Sequence, residues 1–290
     1  MTQMHTKSGL RPLAPGVGVE ITGIDLSNLS VEDADFVVDA YHTHSALLFR
    51  NQDLSHENLI SFSNLFGDVD VAPEKQRTKA VPGKPQIYVV SNIKGRDGKP
   101  IGSLGAAEAI WHADMSDREI PPEATLLYAV ELPPEGGDTW IAGMTVALEG
   151  MPGDLRRKIE GRFIKHDGTY NSGGFVRKGV EASDDPLTCP GTLHPAICAN
   201  PATGKPVLYL GRRRNAYVDG LSLDESESLL DALWEHATRD EYCYTHRWKL
   251  GDLLMWDNRS TLHRRDAFNP EHRRMMLRTQ TKGRLAPRAA

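Results

Sequence analysis

The sequence predicts a mainly β protein with a few peripheral helices, in which the strands make a sandwich or barrel core. Short segments that are apolar or alternate in polarity recur along the chain, as at residues 45–50, 86–91 and 124–130. Helical spacing of apolar residues is confined to fewer segments, and the strongest is residues 223–238. Hydrophobic residues make up 39% of the 290 residues, which is enough for a sizeable core.

The predicted elements follow from periodicity and from capping residues. Strands are predicted at residues 17–26, 45–50, 86–91, 124–130, 138–142, 205–210, 242–248, 252–256 and 275–280. Helices are predicted at residues 31–44, 56–66, 152–161 and 223–238. Ser30 and Ser55 are suitable N-caps, and Gly67 ends the second helix. The first helix is predicted to turn Val31, Ala34, Val37, Val38 and Tyr41 inward. A turn at Gly251 and Asp252 predicts that the strands beside it are antiparallel neighbours.

Two segments are predicted to be loops near an active site. Residues 92–111 are rich in glycine and polar side chains, and residues 166–200 have no clear period and many turn residues. Such segments become ordered or close when a ligand binds. The remainder shows no linker composition, so we expect residues 1–290 to form a single domain.

The charge and cysteine content favour small-molecule chemistry. The 39 acidic and 34 basic side chains give a net charge of -5, so there is no electrostatic reason to bind nucleic acid or an anionic membrane. The three cysteines lack the spacing of a zinc site or a disulfide framework. The sequence begins without the apolar segment of a signal peptide and has no membrane-length apolar stretch. We therefore expect a cytoplasmic protein.

A possible metal site begins with His112 and Asp114. In an extended segment, residues two apart point to the same side, so both could bind one ion; taken alone, the motif is more often a hydrogen-bonded surface pair. His263, at the start of a polar turn after an apolar strand, would supply a third ligand. Two histidines and one carboxylate leave three adjacent positions open, as in non-haem Fe(II) oxygenases, whereas a structural zinc site uses four protein ligands.

Several separated motifs occur in a recognisable order. They are GVEITGIDLS, LLFRNQDLS, the Phe66-Gly67 pair, WHADMS, PPEATLLYAVELPPEGGDT, HRWKLGDLLMWDNRSTLH and RRMMLRT. With these motifs, the chain resembles the TauD/TfdA family of 2-oxoglutarate-dependent dioxygenases over most of its length. The resemblance implies a double-stranded β-helix (jelly-roll) core and an oxygenase that uses Fe(II), 2-oxoglutarate as co-substrate and O2.

The same resemblance assigns residues to the metal and the co-substrate. It implies that His112, Asp114 and His263 bind iron. Arg274, eleven residues after His263, would bind the C5 carboxylate of 2-oxoglutarate, because a guanidinium can meet a carboxylate with two parallel hydrogen bonds. Thr139 would add a hydroxyl, although a threonine at the start of a strand can also bond to backbone.

Alternation along the last strand separates the neighbouring arginines. Arg273 would face away from Arg274, whereas Arg278 would share the side of Arg274. The family pattern implies that Arg278 binds an anionic substrate, a carboxylate or a sulfonate. The other reading is an outward arginine at the strand end. Asn92 is a further candidate substrate contact or a turn residue.

The sequence departs from the taurine-specific pattern near the substrate. Asp70 and Ala72 stand where that pattern has histidines, and Glu108 stands at a candidate substrate position where it has an asparagine. A carboxylate at Glu108 would repel a sulfonate. The C-terminal motifs are more similar to the 2,4-dichlorophenoxyacetate dioxygenase branch, which cleaves aryloxyalkanoate ethers. An alkylsulfonate dioxygenase is the alternative.

Two other classes of protein are compatible with the three ligands. A metal-dependent hydrolase or isomerase on a cupin-like barrel would use them to hold zinc or manganese, but it would leave Arg274 without a task. A non-catalytic acid-binding protein would be expected to lose at least one ligand. The resemblance also implies a dimer or tetramer, and Trp234 could lie either in the core or at such an interface.

Overall fold

The computed structural model describes residues 9–290, apart from the side chains of residues 75 and 76. Its strands are β1 (Gly9–Ala14), β2 (Gly18–Thr22), β3 (Ala46–Phe49), β4 (Ala80–Val81), β5 (Lys84–Ser91), β6 (Ser103–Leu104), β7 (Ala109–His112), β8 (Ala124–Glu131), β9 (Thr139–Gly143), β10 (Phe163–Asp167), β11 (Gly191–Pro195), β12 (Ile197–Ala199), β13 (Pro206–Leu208), β14 (Tyr217–Val218), β15 (Cys243–His246), β16 (Leu253–Asp257), β17 (Thr261–Arg265) and β18 (Met275–Gln280). Its α-helices are α1 (Val31–Thr43), α2 (His56–Ser63), α3 (Met144–Glu149), α4 (Gly153–Ile159) and α5 (Leu223–Ala237). Short 3₁₀ turns cover Asn64–Phe66, Glu74–Lys79 and Asp240–Tyr242.

Two facing sheets form the core. The larger sheet has the order β1-β2-β3-β16-β8-β18-β5-β4, with β6 beside β5. The smaller sheet has the order β15-β9-β17-β7, and its strand pairs are antiparallel. Consecutive strands such as β15 and β16 lie in different sheets, as the chain of a jelly roll requires. The predicted fold, mainly β with peripheral helices and a double-stranded β-helix core, is confirmed.

Alternation along the strands explains why both faces of the larger sheet are apolar. In β16, Leu253 and Met255 pack with α1 and α2, whereas Leu254 and Trp256 face the smaller sheet. On the far side of the smaller sheet, α3, α4 and α5 cover Ala142 and other apolar residues. The molecule therefore has a helix–sheet–sheet–helix layering, and the space between the sheets is the natural place for a site.

Most predicted elements are present, with four differences. Val31 is 80% exposed, because it is the first residue of α1 and lies outside the buried stripe of Val37 and Tyr41. The turn at Gly251 carries the chain between sheets, so β15 and β16 do not pair with each other. Residues 166–200 are not one long loop, since β10 pairs with β11 and β12 pairs with β13. Residues 92–111 include β6 and most of β7.

Two further features bear on predictions about surfaces. Trp234, a residue of α5, is buried in the same apolar cluster as residues of α3, which favours the core role over an interface role for this side chain.

Across the described range of 9–290, the structure has no helix that combines the length and the apolar character needed to cross a membrane.

The capping box of α5 gives a test of the helical layer. Ser222 Oγ accepts from the Glu225 amide at 3.4 Å, and Glu225 Oε2 accepts from the Ser222 amide at 3.0 Å. Ser222→Ala is expected to lower the free energy of unfolding by about 1 kcal/mol. Urea unfolding followed by circular dichroism measures the change. Ser228→Ala, at an exposed position inside the same helix, is the control and should change stability by less than about 0.5 kcal/mol. Equal losses in the two variants would contradict a capping role.

Candidate functional site

Strand pairing brings the three predicted metal ligands together. His112 is the last residue of β7, and His263 is the middle residue of β17, directly opposite it. Their rings lie 4.1 Å apart between centroids. Asp114 Oδ1 is 3.5 Å from His112 Nε2 and 3.9 Å from His263 Nε2. Among the described residues, this is the one group of three His, Cys, Asp or Glu side chains with ligand atoms all within 4.8 Å.

The local structure of the ligands differs from the prediction in two respects. His263 lies within strand β17, not at the start of a turn. Asp114 lies in the turn beyond β7, so its position beside His112 does not come from strand alternation. The reversal of the chain after His112 turns the carboxylate back toward the two imidazoles, and the pairing of β17 with β7 supplies the third ligand.

Hydrogen bonds orient the carboxylate of Asp114. Its Oδ2 accepts from Thr125 Oγ1 at 2.9 Å and from Gln280 Nε2 at 3.0 Å, which leaves Oδ1 directed toward the imidazoles. Asn258 Nδ2 donates to Thr125 Oγ1 at 2.8 Å, so Asn258 supports Asp114. The neighbouring Asp257 pairs with Arg259 at 2.8 Å. Gln280 and Thr125 were not identified from the sequence.

The histidines are oriented by different contacts. His112 Nδ1 lies 2.7 Å from the carbonyl oxygen of Ile110, and since a carbonyl can only accept, Nδ1 carries the proton and Nε2 is free to bind a metal. The ring of His263 packs against Trp256, with 4.6 Å between centroids. These second contacts hold both rings in place before any ion binds.

Burial and neighbouring charges prepare the three groups for a cation. Burial lowers the pKa of His112, and burial followed by repulsion from His112 holds the pKa of His263 well below its usual value. Burial alone would raise the pKa of Asp114, but Arg278 and the two histidines outweigh it and hold that pKa well below normal. At neutral pH the group therefore offers two neutral imidazoles and one carboxylate, a donor set that suits Fe(II).

Arg274 lies at the other end of the same cavity. It is 1% exposed, and its Nε and Nη1 have no partner among the described residues. Burial, followed by the charge of Arg265, lowers the pKa of Arg274 to about 9, so the guanidinium is still charged at neutral pH. A buried cation with two unused donors fits a carboxylate ligand. Arg273 is exposed and pairs with Glu131 at 2.5 Å.

The glycine pair before Thr139 makes room for Arg274. Gly136 and Gly137 both have positive φ, and a Cβ at Gly137 would lie 3.2 Å from Arg274 Nε. Thr139 is buried at the start of β9 and lines the cavity, and its Oγ1 accepts from Trp248 Nε1 at 3.0 Å.

The cavity is lined by Val90, Leu104, Ala109, His112, Leu127, Thr139, Trp256, His263, Arg264, Arg265, Arg274 and Arg278.

The three predicted substrate contacts have different positions. Arg278 lines the cavity, with Nη1 3.7 Å from Asp114 Oδ1. Asn92 does not line it, because Nδ2 donates to the carbonyls of Pro270 and His272 and Oδ1 accepts from the Arg274 amide. Glu108 is exposed and also lies outside the lining. The structure thus brings Arg278 beside Asp114, the predicted metal ligand, and leaves Asn92 and Glu108 outside the cavity lining.

Two buried arginines near the site were not identified from the sequence. Arg265 lines the cavity, and Arg212 is 3% exposed and forms a β-bridge with His112. The sequence did not predict a strand at residues 261–265. Without that strand, the two-residue spacing between His263 and Arg265 could not indicate that their side chains share a face. No local pattern marks Arg212, since a distant part of the chain brings it to His112.

Known proteins resemble this chain over most of its length. Residues 9–280 match the family model "Taurine catabolism dioxygenase TauD, TfdA family". The alpha-ketoglutarate-dependent (2-oxoglutarate-dependent) 2,4-dichlorophenoxyacetate dioxygenase of Cupriavidus pinatubonensis is 30% identical, over 93% of this chain and 96% of that protein. Pentalenolactone F synthase of Streptomyces avermitilis is 30% identical, over 91% of this chain and 90% of that protein.

A solved structure extends the likeness to three dimensions. The crystal structure of AAD-2 in complex with Mn(II) and N-oxalylglycine has a TM-score of 0.78 and 28% identity, and the match covers 97% of this chain and 99% of that one. The chain therefore belongs to the TauD/TfdA family and is a 2-oxoglutarate-dependent dioxygenase that uses Fe(II) and O2.

Proposed function

We propose that this enzyme hydroxylates a small anionic organic substrate, a carboxylate or a sulfonate, and releases succinate and CO2. In this proposal His112, Asp114 and His263 hold the iron, Arg274 and Thr139 bind the C5 carboxylate of 2-oxoglutarate, and Arg278 binds the substrate anion. The observation that carries the proposal is the single cavity lined by both histidines, Thr139, Arg274 and Arg278. Asp114 lies against its wall, beside Arg278.

Bound iron would supply the oxidising chemistry, in which 2-oxoglutarate is decarboxylated as O2 is consumed. The side chains act by position. Arg274, buried and charged, would fix the far end of the co-substrate so that its 2-oxo acid end reaches the metal. Apolar residues such as Val90, Leu127 and Trp256 exclude water from the cavity. Arg278, close to Asp114, would hold the substrate within reach of the metal.

An aryloxyalkanoate-type ether is the substrate class that the neighbourhood of Arg278 favours. The guanidinium carbon of Arg278 lies 5.5 Å from the centre of the Tyr88 ring, which is outside the cavity lining but beside an arginine that belongs to it. A substrate whose anion pairs with Arg278 would therefore have an aromatic face next to that anion. The relative from Cupriavidus pinatubonensis is named for 2,4-dichlorophenoxyacetate, which combines a carboxylate with an aromatic ether. An alkylsulfonate such as taurine is the alternative, and it lacks the aromatic group that Tyr88 would contact.

The substrate class can be tested without turnover. Protein loaded with Fe(II) and 2-oxoglutarate under argon should show a weak visible charge-transfer band, and a substrate in the site should shift it. We expect aryloxyacetates to shift the band at lower concentration than alkylsulfonates. The reverse order would favour the alkylsulfonate alternative. Absence of the band would contradict the proposed residues for the iron and the co-substrate. We also propose that residues 1–290 act as one domain in a dimer or tetramer.

His263→Ala tests the metal assignment. Removing one of three ligands should abolish binding of Fe(II) and turnover while leaving the fold intact, because His263 lies at the cavity wall. Anaerobic calorimetry with Fe(II) measures binding, and circular dichroism checks the fold. His56→Ala, which removes an imidazole at the start of α2, is the control. Full activity of His263→Ala would refute the assignment.

Arg274→Lys tests the co-substrate assignment. Lysine keeps the charge but cannot make two parallel hydrogen bonds, so the KM for 2-oxoglutarate should rise by about tenfold or more while the requirement for Fe(II) is little changed. Steady-state kinetics, with the concentrations of 2-oxoglutarate and Fe(II) varied in turn, separates the effect on the co-substrate from the effect on the metal. Arg273→Lys, at the adjacent surface position, should change neither. If Arg274→Lys raised both requirements equally, the residue would have a structural role.

Thr125→Val tests the support of Asp114. Valine has nearly the same shape but removes the hydroxyl that donates to Asp114 and accepts from Gln280 and Asn258. The affinity for Fe(II) should fall by roughly 10- to 100-fold, because the carboxylate loses its orientation. Calorimetry with Fe(II) under argon gives the affinity. An unchanged affinity would mean that Gln280 alone orients the carboxylate.

A further inference from the structure

Arg265 is a buried cation to which the proposed function gives no task. It is 7% exposed, and among the described residues no carboxylate lies within ion-pair distance of it. Its Nη2 donates to the carbonyls of Leu104, at 3.2 Å, and Ala107, while Nε and Nη1 have no partner in the described part of the chain. Charged donors left unused in a dry interior are costly, so this side chain is arranged to meet an acceptor.

The strand register puts Arg265 next to Thr139. The two residues are direct partners between β17 and β9, so their side chains emerge on the same face. Arg265 also lies two residues beyond His263, on the same side of β17. At about 3.4 Å per residue, that is a separation of about 7 Å along the strand, close to the length of a five-carbon diacid. This spacing is compatible with Arg265 contacting the far carboxylate of a 2-oxoglutarate whose other end is held by His263 through the metal.

Arg265 and Arg274 share this end of the cavity. Their guanidinium carbons lie 5.6 and 5.8 Å from the centre of the same Phe268 ring, and both residues line the cavity. Two like charges held together without a counterion repel each other, and a carboxylate between them would relieve that repulsion.

We infer that Arg265 is a second guanidinium anchor for the C5 carboxylate of 2-oxoglutarate, and that it acts together with Arg274 and Thr139. The inference rests on the proposed co-substrate site and adds a residue to it. The four unused N–H-bearing nitrogens, two on each arginine, match the two oxygens of a carboxylate, each of which can accept more than one hydrogen bond. Through Nη2, the same side chain also fastens residues 104–107 beside the cavity.

The test uses equilibrium binding, not turnover. Protein loaded with Mn(II) is titrated by calorimetry with 2-oxoglutarate and with 2-oxopentanoate, which has the same chain and the same metal-binding end but no C5 carboxylate. Arg265→Met should lower the affinity for 2-oxoglutarate by roughly 10- to 100-fold, because a charged hydrogen bond is lost. The affinity for 2-oxopentanoate should change by less than about twofold. The matched control is Arg273→Met, which removes an exposed arginine paired with Glu131 and should alter neither affinity.

Other outcomes would overturn the inference. If Arg265→Met weakened both acids equally, the residue would only support residues 104–107. If it left 2-oxoglutarate unchanged and weakened binding of an aryloxyacetate, Arg265 would serve the primary substrate. Failure of unmodified protein to bind 2-oxoglutarate with Mn(II) would instead overturn the proposed co-substrate site and this inference with it.

A second measurement leaves Arg265 in place, in case its loss prevents folding. In the double variant Arg274→Met, Thr139→Val, Arg265 is the remaining anchor. This protein should still bind 2-oxoglutarate at least about tenfold more tightly than 2-oxopentanoate, because one charged hydrogen bond persists. Equal affinities for the two acids would show that Arg265 makes no contact with the carboxylate.

Discussion

The register of β17 against its two neighbours is the constraint on which the site depends. It sets His263 opposite His112 on one side and Arg265 opposite Thr139 on the other. Because side chains alternate, a slip of one residue would turn the side chains of both His263 and Arg265 to the other face of the strand. One strand thus aligns the metal end and the carboxylate end of the site, and the apolar layers on both sides hold that strand in register.

Charge is distributed very unevenly around this cavity. Among the described residues that line it there are four arginines and no carboxylate; Arg264 is paired with Asp266 at 2.6 Å, and Asp114 lies just outside the lining with Arg278 beside it. The co-substrate and the proposed substrate are both negatively charged at neutral pH. Bound iron would offset the charge of Asp114 and of the 2-oxo acid end, and Arg265, Arg274 and Arg278 would be left for the remaining carboxylate and for the substrate.

The sequence was informative where a residue's role depends on local spacing, and less so where it depends on distant strands. His112, Asp114 and Arg274 stand in motifs, and the structure brings them with His263 and Thr139 to one centre. The strand that carries His263 was missed, since its sequence, TLHRR, has little apolar character and is buried through pairing on both sides. Gln280 and Arg265 could not be assigned roles without that pairing. Asn92 was predicted to be either a substrate contact or a turn residue, and in the structure its side-chain amide bonds to the backbone of residues 270–274.

The hydrogen bond from Trp248 to Thr139 limits the directions in which the hydroxyl proton of Thr139 can point. Trp248 Nε1 can only donate, so Thr139 Oγ1 accepts there, and its own hydrogen is left to be donated into the cavity. The hydroxyl therefore joins the guanidiniums as a donor, and that end of the site presents hydrogens from every polar side chain. A carboxylate, which only accepts, is complementary to it, whereas a primary amide of the same shape would direct N–H groups against N–H and O–H groups. Through one indole, the fold gives this pocket a means of rejecting the amide analogue of an acid of the same length.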